Sequence, residues 1–440
     1  MAITQALYTG VTGMNVMSDS MSVVANNLAN ANAKGFKYDR VEFDDLLSAD
    51  TMSSTGSAQI GRGARVSDVR TVHTQGGLTV TDRLTDLAVQ GSGFFVVGNP
   101  KGEKQEAGGQ FYTRVGSFNF DKDGFLSDSA GGHLQGYEAD KSGKLSPLLS
   151  DIRIQTNNLA PQSTEKVVLN LNLDGRTEVS EKPFDINNPL ESSDFSNSVN
   201  VFDSQGNKHA MTTYFKRLAT DEGISWEYHQ TVDGKEVTDP ESNQKVKEVG
   251  KGIVKFDTKG NLLSEEPEDM VANFSKGATA GQKIAIDFGK NMATEGGNGV
   301  GATTSVAAAS ITVFHSQNGF EAGNIKSLKI DLDGKVKGYY TNGVEKTLAG
   351  LALATFENID GLQKAGRNQF FATHESGEPR IGEAQTGTRG SIYASTLEES
   401  NVDMAQQFVE MIRTQRGFQA NSRSVTTTDT MMEEVINMKR

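Results

Sequence analysis

From Ser400 to Arg440 the chain has no proline and a single glycine, Gly417, while Met404, Met411, Phe418, Val425 and Met432 recur every seven residues. Ala405, Phe408, Ile412, Val435 and Ile436 widen that row at its two ends. Apolar residues at this spacing predict a helix with one sticky stripe. Ser400 and Asp403 give a capping-box pattern, S-x-x-D, at its start. Glu398, Glu399 and Asp403 crowd the first turns, and Lys439 and Arg440 the last, which suits the helix dipole. A helix over 402–438 spans roughly 55 Å at about 1.5 Å per residue.

The middle of that helix breaks the pattern. Gln415, Ser422 and Asp429 fall where a self-contained coiled coil wants apolar side chains. The run from Ser424 to Thr428 has poor helix propensity. The helix is therefore marginal alone and firm only when neighbours cover it. The opposite end of the chain carries a second stripe: Leu7, Met14, Met21 and Leu28 recur every seven residues, with Met17 and Val24 between them. A helix from Thr4 to Asn32 follows, with Gly35 as its C-terminal cap. Two long amphipathic helices at opposite ends of a chain can pair, and a paired stalk that is polar in patches points to self-assembly.

Net charge is −13, which argues against nucleic-acid binding, since that needs a basic face. With no cysteine there is no disulfide, thiolate metal site or cysteine nucleophile. No stretch approaches the 18 or so apolar residues of a membrane span. The N-terminus lacks the basic and apolar regions of a secretory signal, so the chain is expected either to stay in the cytoplasm or to leave without a cleaved signal.

Between the helices the sequence reads as β structure in several blocks. The expected divisions are the N-terminal helix in 1–35, a linker at 36–63 ending in the Ser/Thr/Gly-rich stretch 48–63, a β domain from 64–145 and 310–390, a second β domain inserted at 146–309, and the C-terminal helix in 391–440. Leu169, Leu171 and Leu173 alternate, as do Ile224, Trp226 and Tyr228, and again Ile284, Ile286 and Phe288. Strands at this spacing predict sandwich or flattened-barrel domains. The fold class is α+β, mostly β, with a terminal helical coiled-coil pair and two nested β domains.

No residue set points to catalysis, a cofactor or a metal. Asp121-x-Asp123-Gly124 and Asp331-x-Asp333-Gly334 look like pieces of a calcium loop but lack its remaining ligands, and read as hairpin turns. His374-Glu375 has no second histidine, and Gly377 and Pro379 forbid the helix a zinc protease needs. Near the termini the signals are sharper. Asn26, Asn27, Asn30 and Asn32 crowd the end of the first helix. They serve either as caps or as amides bonding to neighbouring subunits. Gln415, Arg416, Gln419 and Asn421 on the other helix form either a solvated face or a set of contacts to neighbouring subunits.

These residues carry a resemblance. Ala25-Asn-Asn-Leu-Ala-Asn-Ala-Asn-Ala-Lys-Gly-Phe-Lys37 resembles the N-terminal motif of bacterial flagellar rod and hook proteins. Leu397 to Asp403 and Gln415-Arg-Gly-Phe-Gln-Ala-Asn421 are similar to their C-terminal motif, with Gly417 where alanine is common and Ala33 where threonine is common. Asp86 to Phe95, Tyr112 to Phe118 and Asn358 to Leu362 resemble the family's β segments. The central insertion, with Val201 to Asn207 and Thr212 to Lys216, resembles the hook members rather than the rod members. The resemblance implies a structural subunit of a curved, flexible tube that transmits torque, with the terminal helices paired around a channel. It implies assembly residues at Leu7, Met14, Met17, Met21, Val24, Asn26, Asn27, Leu28, Asn30 and Gly35. On the second helix it implies Met404, Phe408, Met411, Ile412, Gln415, Arg416, Phe418, Asn421, Val425, Met432 and Ile436. The implied partners are further copies, rod and hook–filament junction proteins, a hook cap and the flagellar type III export apparatus, with the product outside the cell. A distal rod protein with a large insertion, or a secreted β-rich glycosidase-like enzyme, are the rival readings.

Overall fold

The computed structural model describes residues 2–53, 56–98, 109–140, 143–154, 158–180, 182–220, 223–238, 246–267, 270–290 and 301–438. The chain is mostly β, with one long helix at each end: α1 (Ala2–Ala29) and α2 (Met404–Met438). Among the described residues no helix is long and apolar enough to cross a membrane.

Two compact units divide the chain: Met1–Thr156, Ser327–Tyr339 and Glu345–Arg440 form the first, Asn157–Lys326 and Tyr340–Val344 the second. These borders differ from those expected at 146 and 310. The strand Leu145–Asp151 stays with the first unit because it is the hairpin mate of His133–Ala139. The strand Ile311–Gln317 joins the second because it pairs with Lys166–Asn172. The Gly-, Ala-, Ser-, Thr- and Asn-rich run 291–310 reads as a second linker, and its residues 291–300 lie outside the described residues.

In the first unit, the segments before and after the insertion meet in one sheet. Glu345–Thr355 pairs with His133–Ala139 through Tyr137 and Gly350, and with Phe94–Gly98 through Leu353 and Phe95. Phe94–Gly98 is buried on both faces. Phe95 and Val97 enter a core with Phe118, Leu134, Leu351 and Ile392, while Phe94 and Val96 enter another with Tyr112, Phe356 and Phe370. The glycine turn before it is required, since Gly91 and Gly93 both have positive φ, at 97° and 135°. The segment after 390 is not yet helix. Ser391–Ala394 pairs with Leu87–Gln90 and Thr396–Glu398 with Leu78–Val80. The expected linker at 36–63 is also structured, since Asp39–Asp45 and Ala64–Thr71 form an antiparallel ribbon that Ala49–Ser53 and Gly56–Ile60 extend. The Ser/Thr/Gly composition of 48–63 hid the inner pair of strands.

In the second unit, a five-stranded antiparallel meander runs in chain order from Phe195–Phe202 to Leu262–Pro267. A three-stranded sheet places Lys166–Asn172 between Ala285–Asp287 and Ile311–Gln317. Leu169, Leu171 and Leu173 share one core with Phe215, Trp226, Tyr228 and Phe256. The buried Trp226 Nε1 donates to Ser305 Oγ at 3.2 Å, which removes the cost of an unpaired polar group.

Both calcium-like loops are turns: at Asp331 the Gly334 N–H donates to Asp331 O at 2.9 Å and the carboxylate pairs with Lys329 and Lys337, while the loop at Asp121 shares its design with three others. Asp121, Asp128, Asp203 and Asp257 each accept, on one carboxylate oxygen, the N–H groups two and four residues on. Each is followed at the third position by a glycine of positive φ, Gly124, Gly131, Gly206 and Gly260. These bonds tie each carboxylate to its own loop. The Asn261 N–H and its neighbours hold the Asp257 carboxyl below its usual range. His374 and Glu375 lie in a tight turn in which Thr373 N–H donates to Ser376 Oγ at 2.9 Å.

Candidate assembly surface

The helices α1 and α2 pack antiparallel within the first unit. Gly10 faces Val425, Gly13 faces Asn421, and Met17 faces Gly417. Ser20 Oγ lies 3.5 Å from Thr414 Oγ1, and Asn27 Nδ2 donates to Gln407 Oε1 at 3.1 Å. On α1 this seam steps by three and four residues through Gly10, Gly13, Met17, Ser20, Val24 and Asn27, so one face is presented throughout. Its side chains are mostly small or polar. Small residues let the two backbones approach, and the hydroxyls and amides bond across.

The seam uses only part of the apolar rows expected to pair: Met17, Val24 and Val425 lie on it, and the rest of it is small or polar. The buried residues of α2 are Gln407, Thr414 and Thr428, all polar and spaced by multiples of seven. Its apolar residues stay outside. Met404, Phe408, Ile412 and Phe418 are exposed, with Phe408 and Ile412 each at 50 %, and so are Val435 and Ile436. Met411, Asn421, Val425 and Met432 are half-buried; Gln415 and Arg416 are exposed. On α1, Val24 is buried, Leu7, Met14, Met17, Met21 and Leu28 are half-buried, and Asn26 is exposed. The β ribbon covers another flank of α1, where Gly63 lies against Thr12 and Gln5 Nε2 reaches Gly61 O at 3.5 Å. A helix that spends its polar residues inward and leaves an apolar row at helical spacing in water has an unfilled contact.

Both helix ends differ from expectation. Asp403 alone caps α2, accepting from Ala405 N–H at 2.8 Å and Gln406 N–H at 3.1 Å, whereas Ser400 Oγ takes only Val402 N–H. At the other helix, α1 stops at Ala29, where Asn30 Nδ2 donates to Asn26 O at 2.9 Å. Gly35 is not its cap. Its φ of 65° serves a tertiary contact, in which its N–H donates to Glu398 O at 2.8 Å.

Asn27 is fully buried, and its amide is used inside the subunit. Asn27 Nδ2 donates to Asp39 O at 2.8 Å, and Asp39 N–H donates to Asn27 Oδ1 at 2.9 Å, as a strand neighbour would. Asn401 does the same between the helix roots, accepting from Tyr38 N–H and donating to Val72 O, at 2.9 and 2.8 Å. Close by, burial, then the Lys37 charge, pushes the His73 imidazole down to about 4. Sequence reasoning missed Gly10, Gly13, Ser20, Gln407, Thr414 and Asn401. The three-and-four spacing of small residues on α1 was the available signal for the first three.

Family descriptions match along the chain: "Flagella basal body rod protein" over 7–37, "Flagellar hook protein FlgE/F/G D1 domain" over 88–175, "Flagellar basal body protein FlaE D2 domain" over 170–320 and "Flagellar basal body rod FlgEFG protein C-terminal" over 394–438. The chain is 34% identical to the flagellar hook protein FlgE of Treponema pallidum, covering 99% of this chain and 100% of that one. It is 30% identical to that of Escherichia coli, covering all of both. A crystal structure of Helicobacter pylori flagellar hook protein FlgE2 shares the fold at a TM-score of 0.51 and 16% identity, over 72% of this chain and 100% of that one.

Proposed function

The chain belongs to the flagellar hook protein family, and from that premise we propose how it assembles. It is a non-enzymatic structural subunit that self-assembles into the hook of the bacterial flagellum. In this reading the exposed row of α2, from Met404 through Phe408 and Ile412 to Phe418, is filled by helices of neighbouring copies. The paired helices line the channel of the tube, and the β units form its outer layers. The tube is curved, and bends while carrying torque because tight, apolar inner contacts hold it together while looser, more polar outer contacts slide. Rod proteins, junction proteins and a hook cap meet its ends. Copies reach it through the flagellar type III export apparatus.

One observation carries this reading: α2 buries polar residues and exposes apolar ones, an arrangement that is costly in a lone chain and favourable in a polymer. Removing 402–440 tests it. The shortened chain is expected to keep folded β units and to form no tubes when concentrated, as seen by electron microscopy. Normal tubes from it would overturn the proposal.

A further inference from the structure

A buried ionic cluster joins the two ends of the chain. Glu398, 1 % exposed, pairs with two buried cations, Lys37 and Arg114. Lys37 Nζ contacts Glu398 Oε1 and also donates to Thr74 O at 2.7 Å. Arg114 Nη1 donates to Glu398 Oε2 at 3.4 Å, and Nη2 to Gly91 O at 2.8 Å. Gly76 N–H completes the set at 2.9 Å from Glu398 Oε1. Burial pushes the Lys37 ammonium down, and Glu398 pulls it back.

The connectivity gives this cluster a direction. Both cations lie in the first 114 residues, and the carboxylate comes 284 residues after Arg114. The N-terminal part of the sheet therefore places two cations at a site that has no anion of its own. Their remaining partners are backbone carbonyls and, for Arg114, the Phe94 ring 5.2 Å away, none of which carries a full charge. A buried charge without its partner strongly disfavours the closed state. The same late segment also delivers Ile392 to the core and the strand partner of Leu87–Gln90.

We propose that Glu398 is the closing charge of the first unit: its sheet and helix roots lock only when the C-terminal segment brings this carboxylate between Lys37 and Arg114. A chain that emerges N-terminus first then stays open, and so threadable, until nearly all of it is out. The closing role stands on the cluster alone and holds whether or not the assembly surface is assigned correctly, while its consequence for threading rests on the export route proposed above.

The test uses the full chain with Glu398→Gln, compared with Lys37→Met/Arg114→Met/Glu398→Leu, which removes every charge. Hydrogen exchange is followed by mass spectrometry. Glu398→Gln is expected to lower protection over Leu87–Gln90 and Gln110–Thr113 by about 100-fold, with Ile224–Asp233 in the other unit unchanged. The uncharged triple variant is expected to regain at least about tenfold of that loss. Parent-like protection in Glu398→Gln overturns the proposal. So does a triple variant no better protected than Glu398→Gln, which would assign the effect to shape. If Glu398→Gln fails to fold, recovery in the triple variant still supports the proposal and its absence still refutes it.

Discussion

Gly13 of α1 lies so close to Asn421 of α2 that a Cβ on the glycine would stand 2.7 Å from the Asn421 amide nitrogen. One turn earlier, a Cβ on Gly10 would stand 2.8 Å from Val425 Cγ2. Gly417 is different, because a Cβ there meets only the flexible Met17 Sδ, at 2.9 Å. Gly13→Leu is therefore expected to part the helices at a cost of about 1–3 kcal/mol or more. Gly417→Ala is expected to be neutral, or stabilising by up to about 1 kcal/mol, because alanine is the better helix former and methionine swings aside easily. Helix melting by circular dichroism compares the two. Equal losses would refute the distinction.

The aspartate–glycine turns make a second graded pair. Gly131 and Gly260 have φ of 84° and 86°, so alanine is strained at both. Nothing lies within 4 Å of a Cβ on Gly131, whereas one on Gly260 would meet Ser305 O at 2.5 Å. Gly131→Ala is expected to cost about 1–2 kcal/mol from backbone strain alone. Gly260→Ala adds a backbone clash and is expected to cost roughly twice that or more. Denaturant unfolding of each unit reads the difference, and a smaller loss for Gly260→Ala would contradict the assigned packing.

Much of this fold was readable where local pattern decides it. The heptads of α1 and α2 and the alternation at Trp226 and Tyr228 carry their own period. What could not be read is which heptad positions face which partner. Apolar rows announce themselves, but Gly10, Gly13 and Ser20 form the seam by lacking bulk. The strands at Ala49–Ser53 and Gly56–Ile60 were hidden for a related reason, since the Ser/Thr/Gly composition of 48–63 is also that of a linker. The clamp between Asn401 and Tyr38 joins residues 363 apart, which no local window reaches. Unit borders moved because hairpin mates such as Leu145–Asp151 follow pairing rather than composition.

His73 gives a pH signature. Its ring lies 5.5 Å from that of Phe370 and 5.9 Å from that of Phe94, and burial lowers it to about 4 from an ordinary 6.5. The unfolded chain then takes up a proton between those values while the folded chain does not. Its contribution to stability is complete above pH 6.5 and is lost as pH falls toward 4. His73→Phe is expected to keep the ring contacts and remove this loss. The parent should fall by roughly 1–3 kcal/mol more than the variant between pH 7 and pH 4. Parallel denaturant titrations of the first unit measure it, and identical pH slopes would sink the assignment.

Asn27 and its neighbour Asn26 separate an internal clamp from an outer surface. Asn27 donates both to Asp39 O and to Gln407 Oε1, while Asn26 is exposed. An aspartate at 27 has the same shape but no donor when ionised, so its oxygens would face the Asp39 carbonyl in a site without water. Gln407 can turn its amide to donate instead; the Asp39 carbonyl cannot. Asn27→Asp is expected to lose about 2–4 kcal/mol at pH 7 and to regain part of it in acid, where a protonated carboxyl donates again. Asn26→Asp, at the helix surface, is expected to stay within about 0.5 kcal/mol of the parent. Thermal melting at pH 7 of the two variants decides the matter. If both melt alike, the amide at 27 is not the clamp its geometry makes it, and the root of the helix pair is held by something else.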